Sequence, residues 1–359
     1  MTTLSAEAYV EGVLAADRSV VARAVTLIES SNESDRVMAR DVMRTLAPHS
    51  GKARRIGVTG VPGAGKSTFL DAWGKRLLDA GARVAVLAVD PTSVISGGSI
   101  LGDKTRMPYL SAHPNAFVRP SPSGLALGGV ARRTREAMLI CEAAGYEWVF
   151  VETVGVGQSE VTVSEMVDFF LVLAVSGAGD ELQGIKRGIF EVADAVLVHK
   201  SDGDNRARAQ VAKAELSAAL RYAPRKNPTW QTPVLTASAL TGEGLDDLEA
   251  LVDRFFVEQA SWIAERRSLQ AALAMWRLAE QQIVQQFRAA PEVVALGDAL
   301  ADQARSLAVT PEEAAMALCD VWTKGEGRIR LGNTGVGETR ESSVEPGPEP
   351  EPASRRDRK

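Results

Sequence analysis

Hydrophobic positions give the chain three textures. Up to about residue 48 they recur at three- and four-residue steps, as in Tyr9, Val13, Leu14, Val20, Val21, Ala24, Leu27 and Ile28, with charges between. That spacing predicts amphipathic helices, and Pro48 and Gly51 mark their end. From Ile56 the apolar residues come instead in short unbroken runs. Ile56 to Thr59, Arg83 to Val89, Trp148 to Val151, Phe169 to Val175, Ala195 to Val198 and Pro233 to Leu235 read as buried strands. Helical stretches such as Thr68 to Asp79 and Arg133 to Ala143 lie between them. Continuous apolar strands alternating with helices predict an α/β fold, a mainly parallel sheet flanked by helices on both faces. Ligands of such sheets bind beyond the carboxyl ends of the strands, where Asp90 and Glu152 stand. From about Leu248 the strands stop, and 248–322 read as long helices, among them Trp262 to Phe287. The expected organisation is a helical segment over 1–50, the α/β domain over 51–247, a helical arm over 248–322 and a disordered tail over 323–359. The tail is expected because charge and a Pro-Gly/Glu run replace apolar side chains there.

Composition narrows the classes. With 41 Lys and Arg against 46 Asp and Glu the formal net charge is −5. That is a poor basis for general nucleic-acid binding, which needs surplus cations. The longest apolar run, Phe169 to Val175, is far short of the about 20 residues that span a bilayer, so no membrane association is expected. Two cysteines, Cys141 and Cys319, exclude a disulfide framework and suit a reducing, cytoplasmic setting. The three scattered histidines, His49, His113 and His199, argue against a His/Cys zinc site.

Gly60-Val61-Pro62-Gly63-Ala64-Gly65-Lys66-Ser67, followed by Thr68, fits G-x-x-x-x-G-K-[ST]. Glycines let backbone N–H groups converge on phosphates without Cβ clashes. A helix starting near Lys66 aims its N-terminal dipole at them. Lys66 then bridges the β and γ oxygens, and the Ser67 hydroxyl ligates magnesium. Acidic residues on neighbouring strands complete such a site. Asp90 and Glu152 are placed for that, and Asp103 lies in a glycine-rich loop, Gly97 to Thr105, that can fold over a nucleotide. Glu152-Thr153-Val154-Gly155 has the acid-x-x-Gly pattern of the loop that senses the γ-phosphate in GTPases, with Gly155 as the sensing N–H. Gln158 either orders a water or is a surface residue.

After the Ala195 to Val198 run comes His199-Lys200-Ser201-Asp202. Guanine-specific proteins use [N/T]-K-x-D here: the Asp accepts two donors of guanine, a contact adenine cannot make. The Lys stem covers the base. His199 stands where Asn is usual and retains a donor in weakened form. Ser238-Ala239-Leu240 follows the last strand as the loop whose backbone N–H reads guanine O6.

These residues together resemble one family. The chain is similar, over roughly 8–290, to the MeaB/ArgK/MMAA G-proteins, GTPase chaperones of cobalamin-dependent acyl-CoA mutases. Gly98 to Met107 and Gly179 to Gly188 carry the likeness more specifically than any phosphate loop. The resemblance implies a P-loop GTPase fold, GTP/GDP and Mg2+ as ligands, and Ser67, Asp90, Asp103 and Glu152 as the magnesium shell. It implies catalytic roles for Lys66, Asp103, Glu152 and Lys186, the last in a switch loop over Gly177 to Gly188. It also implies a slow GTPase stimulated by its partner, a homodimer formed through the C-terminal helices, and a cobalamin-dependent acyl-CoA mutase as partner, with the mutase's adenosyltransferase as a further one. Cobalamin belongs to those proteins, and none is expected on this chain. GTP turnover would gate adenosylcobalamin loading and reactivation of the mutase. The alternatives are a metal-insertion chaperone GTPase of the same fold and, further off, an ATP-dependent small-molecule kinase. Departures from the family pattern fall at His199, at Ser201 in place of Ala, at Val94 to Ser96 and at Gly124 to Leu127.

Overall fold

The described residues form seven strands, six of them the apolar runs above: β1 (Arg54–Gly60), β2 (Val84–Val89), β3 (Ala116–Pro120), β4 (Trp148–Thr153), β5 (Phe169–Val175), β6 (Ala195–His199) and β7 (Val234–Thr236). They make one sheet in the order β3-β2-β4-β1-β5-β6-β7, with parallel pairing throughout. The computed structural model describes residues 4–30, 32–89, 106–120, 127–153, 159–176 and 187–324, and of 127–130, 159 and 187 only the backbone. By internal contacts the chain forms two units, Met1–Gln282 and Ile283–Lys359.

The sheet belongs to the first unit. Its helices are α1 (Ala6–Leu14), α2 (Arg18–Glu29), α3 (Glu33–Leu46), α4 (Lys66–Asp79), α5 (Pro108–Ala112), α6 (Leu127–Ala143), α7 (Ser159–Ser164), α8 (Arg187–Glu191), α9 (Arg206–Leu220), α10 (Leu245–Glu258) and most of α11 (Ala260–Ala289). The N-terminal helices start on polar caps. Ser5 accepts from the Ala8 amide at 3.2 Å, Asp17 from Ser19 at 2.8 Å and Asn32 from Ser34 at 3.0 Å, each satisfying a donor the helix leaves free. Their apolar stripes, including Val13, Val21, Ala24, Val42 and Leu46, are buried and join the core of the sheet.

The β2 and β4 runs are buried almost end to end, as expected of strands covered on both faces. On one face Trp73 of α4 meets Phe150 edge-on at 4.9 Å. Elsewhere Phe255 of α10 meets Phe169 and Trp230, each at 4.9 Å and edge-on. Such pairs add about 0.5–1.5 kcal/mol each beyond area burial. At the amino ends of the strands, Asp168 accepts from the Arg55 amide and from Arg267 of α11, and Asp194 accepts from the Phe170 amide and from Lys226. Burial pushes the Asp194 carboxyl up and pulls the Lys226 ammonium down to about 8. These pairs tie α11 and the loop before β7 to the sheet at the end away from the site.

β3 is the strand the hydrophobic pattern does not announce. It has three apolar residues before Arg119 and Pro120, and it lies at the edge of the sheet, the place where proline is tolerated. In the second unit, α12 (Pro291–Arg305) and α13 (Pro311–Lys324) follow the last turns of α11, and Phe287 meets Trp322 edge-on at 5.5 Å.

Candidate nucleotide site

The strand order creates the crevice. From β1 the chain crosses to β2 on one side, and from β4 it crosses to β5 on the other, so the order reverses between the adjacent strands β1 and β4. Ligands of open α/β sheets sit outside the carboxyl ends at such a point. Val58 of β1 pairs with Glu152 of β4, and the buried hydroxyl of Thr153 donates to that of Thr59 at 2.7 Å. That bond closes the floor of the crevice. The sequence reads Thr59 only as a strand residue and Thr153 only as part of the acid-x-x-Gly loop, because nothing local shows that they face each other.

The loop Gly60 to Gly65 leaves β1 here and enters α4. Gly65 is the N-cap, with φ of 85°. A side chain there would be strained, and its Cβ would come within 3.1 Å of the His199 ring. Val61 and Ala64 are buried, whereas Pro62 and Gly63 are exposed. Lys66 is buried, and its Nζ donates to the Gly60 carbonyl at 2.8 Å and to Val61 at 3.3 Å. Burial pulls its ammonium below the ordinary value, with Glu152 and Glu160 opposing that. The Ser67 hydroxyl donates to Glu152 Oε1 at 2.8 Å. Thr68 is exposed in the same first turn of α4. Loop amides and a helix N-terminus suit phosphate oxygens, and a hydroxyl beside a carboxylate is an all-oxygen donor pair that suits Mg2+. Among the described residues there is no cluster of three His, Cys, Asp or Glu of metal-holding kind. Asp90, Asp103, Gly155, Gln158 and Lys186 lie outside the described residues.

The end of β6 supplies the second half. Lys200 adopts a φ of 58° and reaches across to the Gly63 carbonyl at 2.8 Å. Asn205 holds that backbone by donating to the Lys200 carbonyl at 2.6 Å, and its own oxygen accepts from Ser176 at 2.7 Å. The Ser238 hydroxyl donates to Asp202 and accepts from the amides of Leu240 and Thr241, both at 3.2 Å. Asp202, Ser238 and Ala239 are thereby brought to one place, with Leu240 84 % exposed beside them. Gly244, with φ of 78°, closes this loop where a Cβ would lie 2.1 Å from the Thr236 carbonyl.

His199 joins the two halves. It is 3 % exposed, its Nδ1 lies 2.8 Å from the Ala64 carbonyl, and its Nε2 accepts from the Ala239 amide at 3.2 Å. A carbonyl only accepts and an amide only donates, so the proton sits on Nδ1 and the ring is neutral. Burial holds its pKa below the ordinary value. The ring also meets Phe69 of α4 edge-on at 5.7 Å. The residue that departs from the guanine-reading pattern thus spends both nitrogens on fixing the loop before α4 against the loop after β7.

Residues 21–292 match the family described as methylmalonyl-CoA mutase-associated GTPase MeaB. The chain belongs to the MeaB family. It is 53 % identical over 286 residues to a putative GTPase of Caulobacter vibrioides, covering 79 % of this chain and 87 % of that one. It is 50 % identical over 238 residues to the GTPase ArgK of Escherichia coli, covering 66 % and 72 %. The mouse mitochondrial methylmalonic aciduria type A homolog is 43 % identical over 294 residues, covering 79 % and 71 %. Among solved structures, a LAO/AO transport system kinase superposes with a TM-score of 0.70 at 33 % identity, covering 90 % of this chain and 99 % of that chain. These relatives make this MeaB family member a GTPase, with a guanine nucleotide as its ligand. Among the described residues no helix is long and apolar enough to cross a membrane.

Proposed function

We propose that this chain is the GTPase chaperone of a cobalamin-dependent acyl-CoA mutase, in which GTP binding and hydrolysis gate adenosylcobalamin loading and reactivation. The observation that carries the partner is the match of residues 21–292 to a family named for its association with methylmalonyl-CoA mutase. In this reading the Gly60 to Gly65 amides and Lys66 hold the phosphates. Ser67 and Glu152, with Asp90 and Asp103, hold Mg2+, which neutralises phosphate charge. Asp202 and the Ser238 to Leu240 loop read guanine, Lys200 covers it, and Gly155 and Lys186 respond to the γ-phosphate. The 2.8 Å contact between Ser67 and Glu152 and the His199 bridge support this assignment. Cobalamin stays with the mutase and its adenosyltransferase, and the setting is cytoplasmic.

The same reading divides the chain into an N-terminal helical segment (1–50), the GTPase domain (51–247), a helical arm (248–322) and a tail (323–359). The arm forms a homodimer. Leu269, Leu273, Met275 and Trp276 are exposed along α11, and Val294 and Met316 on later helices. Apolar patches of this kind mark association surfaces.

The test is a pull-down from native lysate with the protein loaded first with a non-hydrolysable GTP analogue and then with GDP, read by mass spectrometry. Recovery of a cobalamin-dependent mutase subunit in one state more than the other is the expected result. A full set of bound proteins without a mutase in either state would overturn the chaperone reading and leave a GTPase of this family.

A further inference from the structure

Away from the crevice, α3, α6, α7, α8 and α11 enclose a groove of about 980 Å³, at the upper end of the range for small-molecule sites. Its walls are apolar, with Met43, Leu139, Val161, Ile189 and Leu278 among them, and Val161 and Leu278 are 47 % and 40 % exposed. Five arginines also line it, Arg40, Arg44, Arg132, Arg135 and Arg277, against two acids, Glu136 and Glu165. Each acid has an ion pair, Glu136 Oε1 with Arg132 at 2.9 Å and Glu165 with Arg277 at 2.6 Å, and among the described residues the other Glu136 oxygen is buried without a hydrogen-bond partner. Arg40 and Arg44 have partners on their own helix, Glu33 at 3.9 Å and Asp41 at 2.8 Å.

Arg135 differs. It is half-buried, and among the described residues it makes no hydrogen bond or ion pair. Its neighbours make matters worse: burial disfavours its charge first, then Arg277 and Arg55, and only Glu165 opposes them. A guanidinium does not shed its proton to escape such a site. It presents a planar fork that suits a carboxylate or a phosphate. A single unpaired cation beside a continuous apolar wall is complementary to one anionic head on one apolar chain.

One wall of the groove, α7, also acts electrostatically on the crevice. In α7, Glu160 is 1 % exposed and acts electrostatically on Lys66, while Val161 and Thr162, the next two residues, line the groove. A body filling the groove therefore presses on the same short helix that holds an acid near the phosphate-loop lysine.

We propose that this groove is an effector site for a free amphiphilic anion, an apolar chain ending in a carboxylate or phosphate held by Arg135, and that its occupancy changes nucleotide release through α7. The coupling rests on the nucleotide reading above.

The experiment uses the full chain and dodecyl phosphate below its micelle concentration, with dodecanol, inorganic phosphate and phosphatidylglycerol vesicles as comparison probes. Calorimetry gives the binding, and release of a fluorescent GDP analogue gives the coupling. The expected result is one dodecyl phosphate per chain, both halves of the molecule needed, and a change in GDP release of about threefold or more on saturation. Arg135→Met weakens binding about tenfold or more, and Arg135→Lys restores part of it. Leu278→Glu, on the exposed wall, abolishes binding and serves if the Arg135 variant is misfolded. Equal binding by Arg135→Met, preference for vesicles, binding that appears only on dilution of a self-associated protein, or unchanged GDP release at saturation would each overturn the proposal. GDP affinity without amphiphile is measured first. Its absence would refute the nucleotide site, whereas a normal value with an inert groove refutes only the effector.

Discussion

His199 offers the sharpest test of how the site is built. His199→Phe keeps the ring and its edge contact with Phe69 but removes both hydrogen bonds. The Ala64 carbonyl and the Ala239 amide then lose their partners. A buried backbone group left unpaired costs about 1–3 kcal/mol, in full for Ala64 and in part for the half-buried Ala239, so the loss is about 2 kcal/mol or more. Without nucleotide the two loops can part and take up water. With nucleotide between phosphate loop and base loop they cannot, so that loss falls on the bound state. About 2 kcal/mol is roughly a 30-fold loss of GDP affinity. The wild type should also show a pH step that the variant lacks. Burial holds the His199 pKa below its ordinary 6.5, with Lys200 adding to the effect and the Ala64 carbonyl and Asp202 opposing it. Between that depressed value and 6.5 the unfolded chain takes up a proton that the folded chain refuses. The contribution of His199 is therefore complete above about pH 6.5 and is lost as pH falls through the folded value. Protonation also turns Nε2 into a donor facing the Ala239 N–H. Equilibrium titration of a fluorescent GDP analogue at neutral pH reads the affinity loss, and thermal unfolding of wild type and variant between about pH 5 and pH 8 reads the pH step. Binding by His199→Phe within about twofold of wild type at neutral pH would refute the bridge as a determinant of affinity.

Two further perturbations probe the base side. Asp202→Asn exchanges an acceptor for a donor at the group that Ser238 holds in place, so GDP affinity should fall about 10-fold or more while xanthosine diphosphate gains. Competition between the two nucleotides decides it, and retained guanine preference would mean that another group reads the base. Gly244→Ala places a Cβ 2.1 Å from the Thr236 carbonyl at a φ of 78°. The left-handed backbone alone costs about 1–2 kcal/mol, and with the clash Tm should drop by about 5 °C or more. An unchanged melting curve would show that the loop relaxes without cost.

What the sequence shows of this protein depends on how local the cause is. The β2, β4, β5 and β6 strands are legible because burial on both faces demands unbroken apolar runs, and that demand is met within each segment. β3 is not, since an edge strand ending in Pro120 needs few apolar residues and shows no period. The phosphate loop is legible because backbone amides must converge over a few consecutive residues. The Thr59–Thr153 bond and the hold of Asn205 on Lys200 depend on strand neighbours and a helix start that no spacing reveals. The Arg135 groove is hidden for the same reason, as its lining comes from five helices scattered along the chain.

His199 shows the limit most clearly. Read against a motif, it is an Asn position filled by a weaker donor. Read against its partners, it is a side chain with one donor and one acceptor set apart on a rigid ring, between a carbonyl and an amide of two loops distant in sequence. The partners define the requirement, and imidazole in one tautomer meets it. Asn carries the same two functions on a shorter stem that ends in a single carboxamide. The physical expectation is that His199→Asn keeps one contact and loses the other. A departure from a pattern therefore weakens a site only when the groups waiting in the fold are left unanswered, and here both are answered.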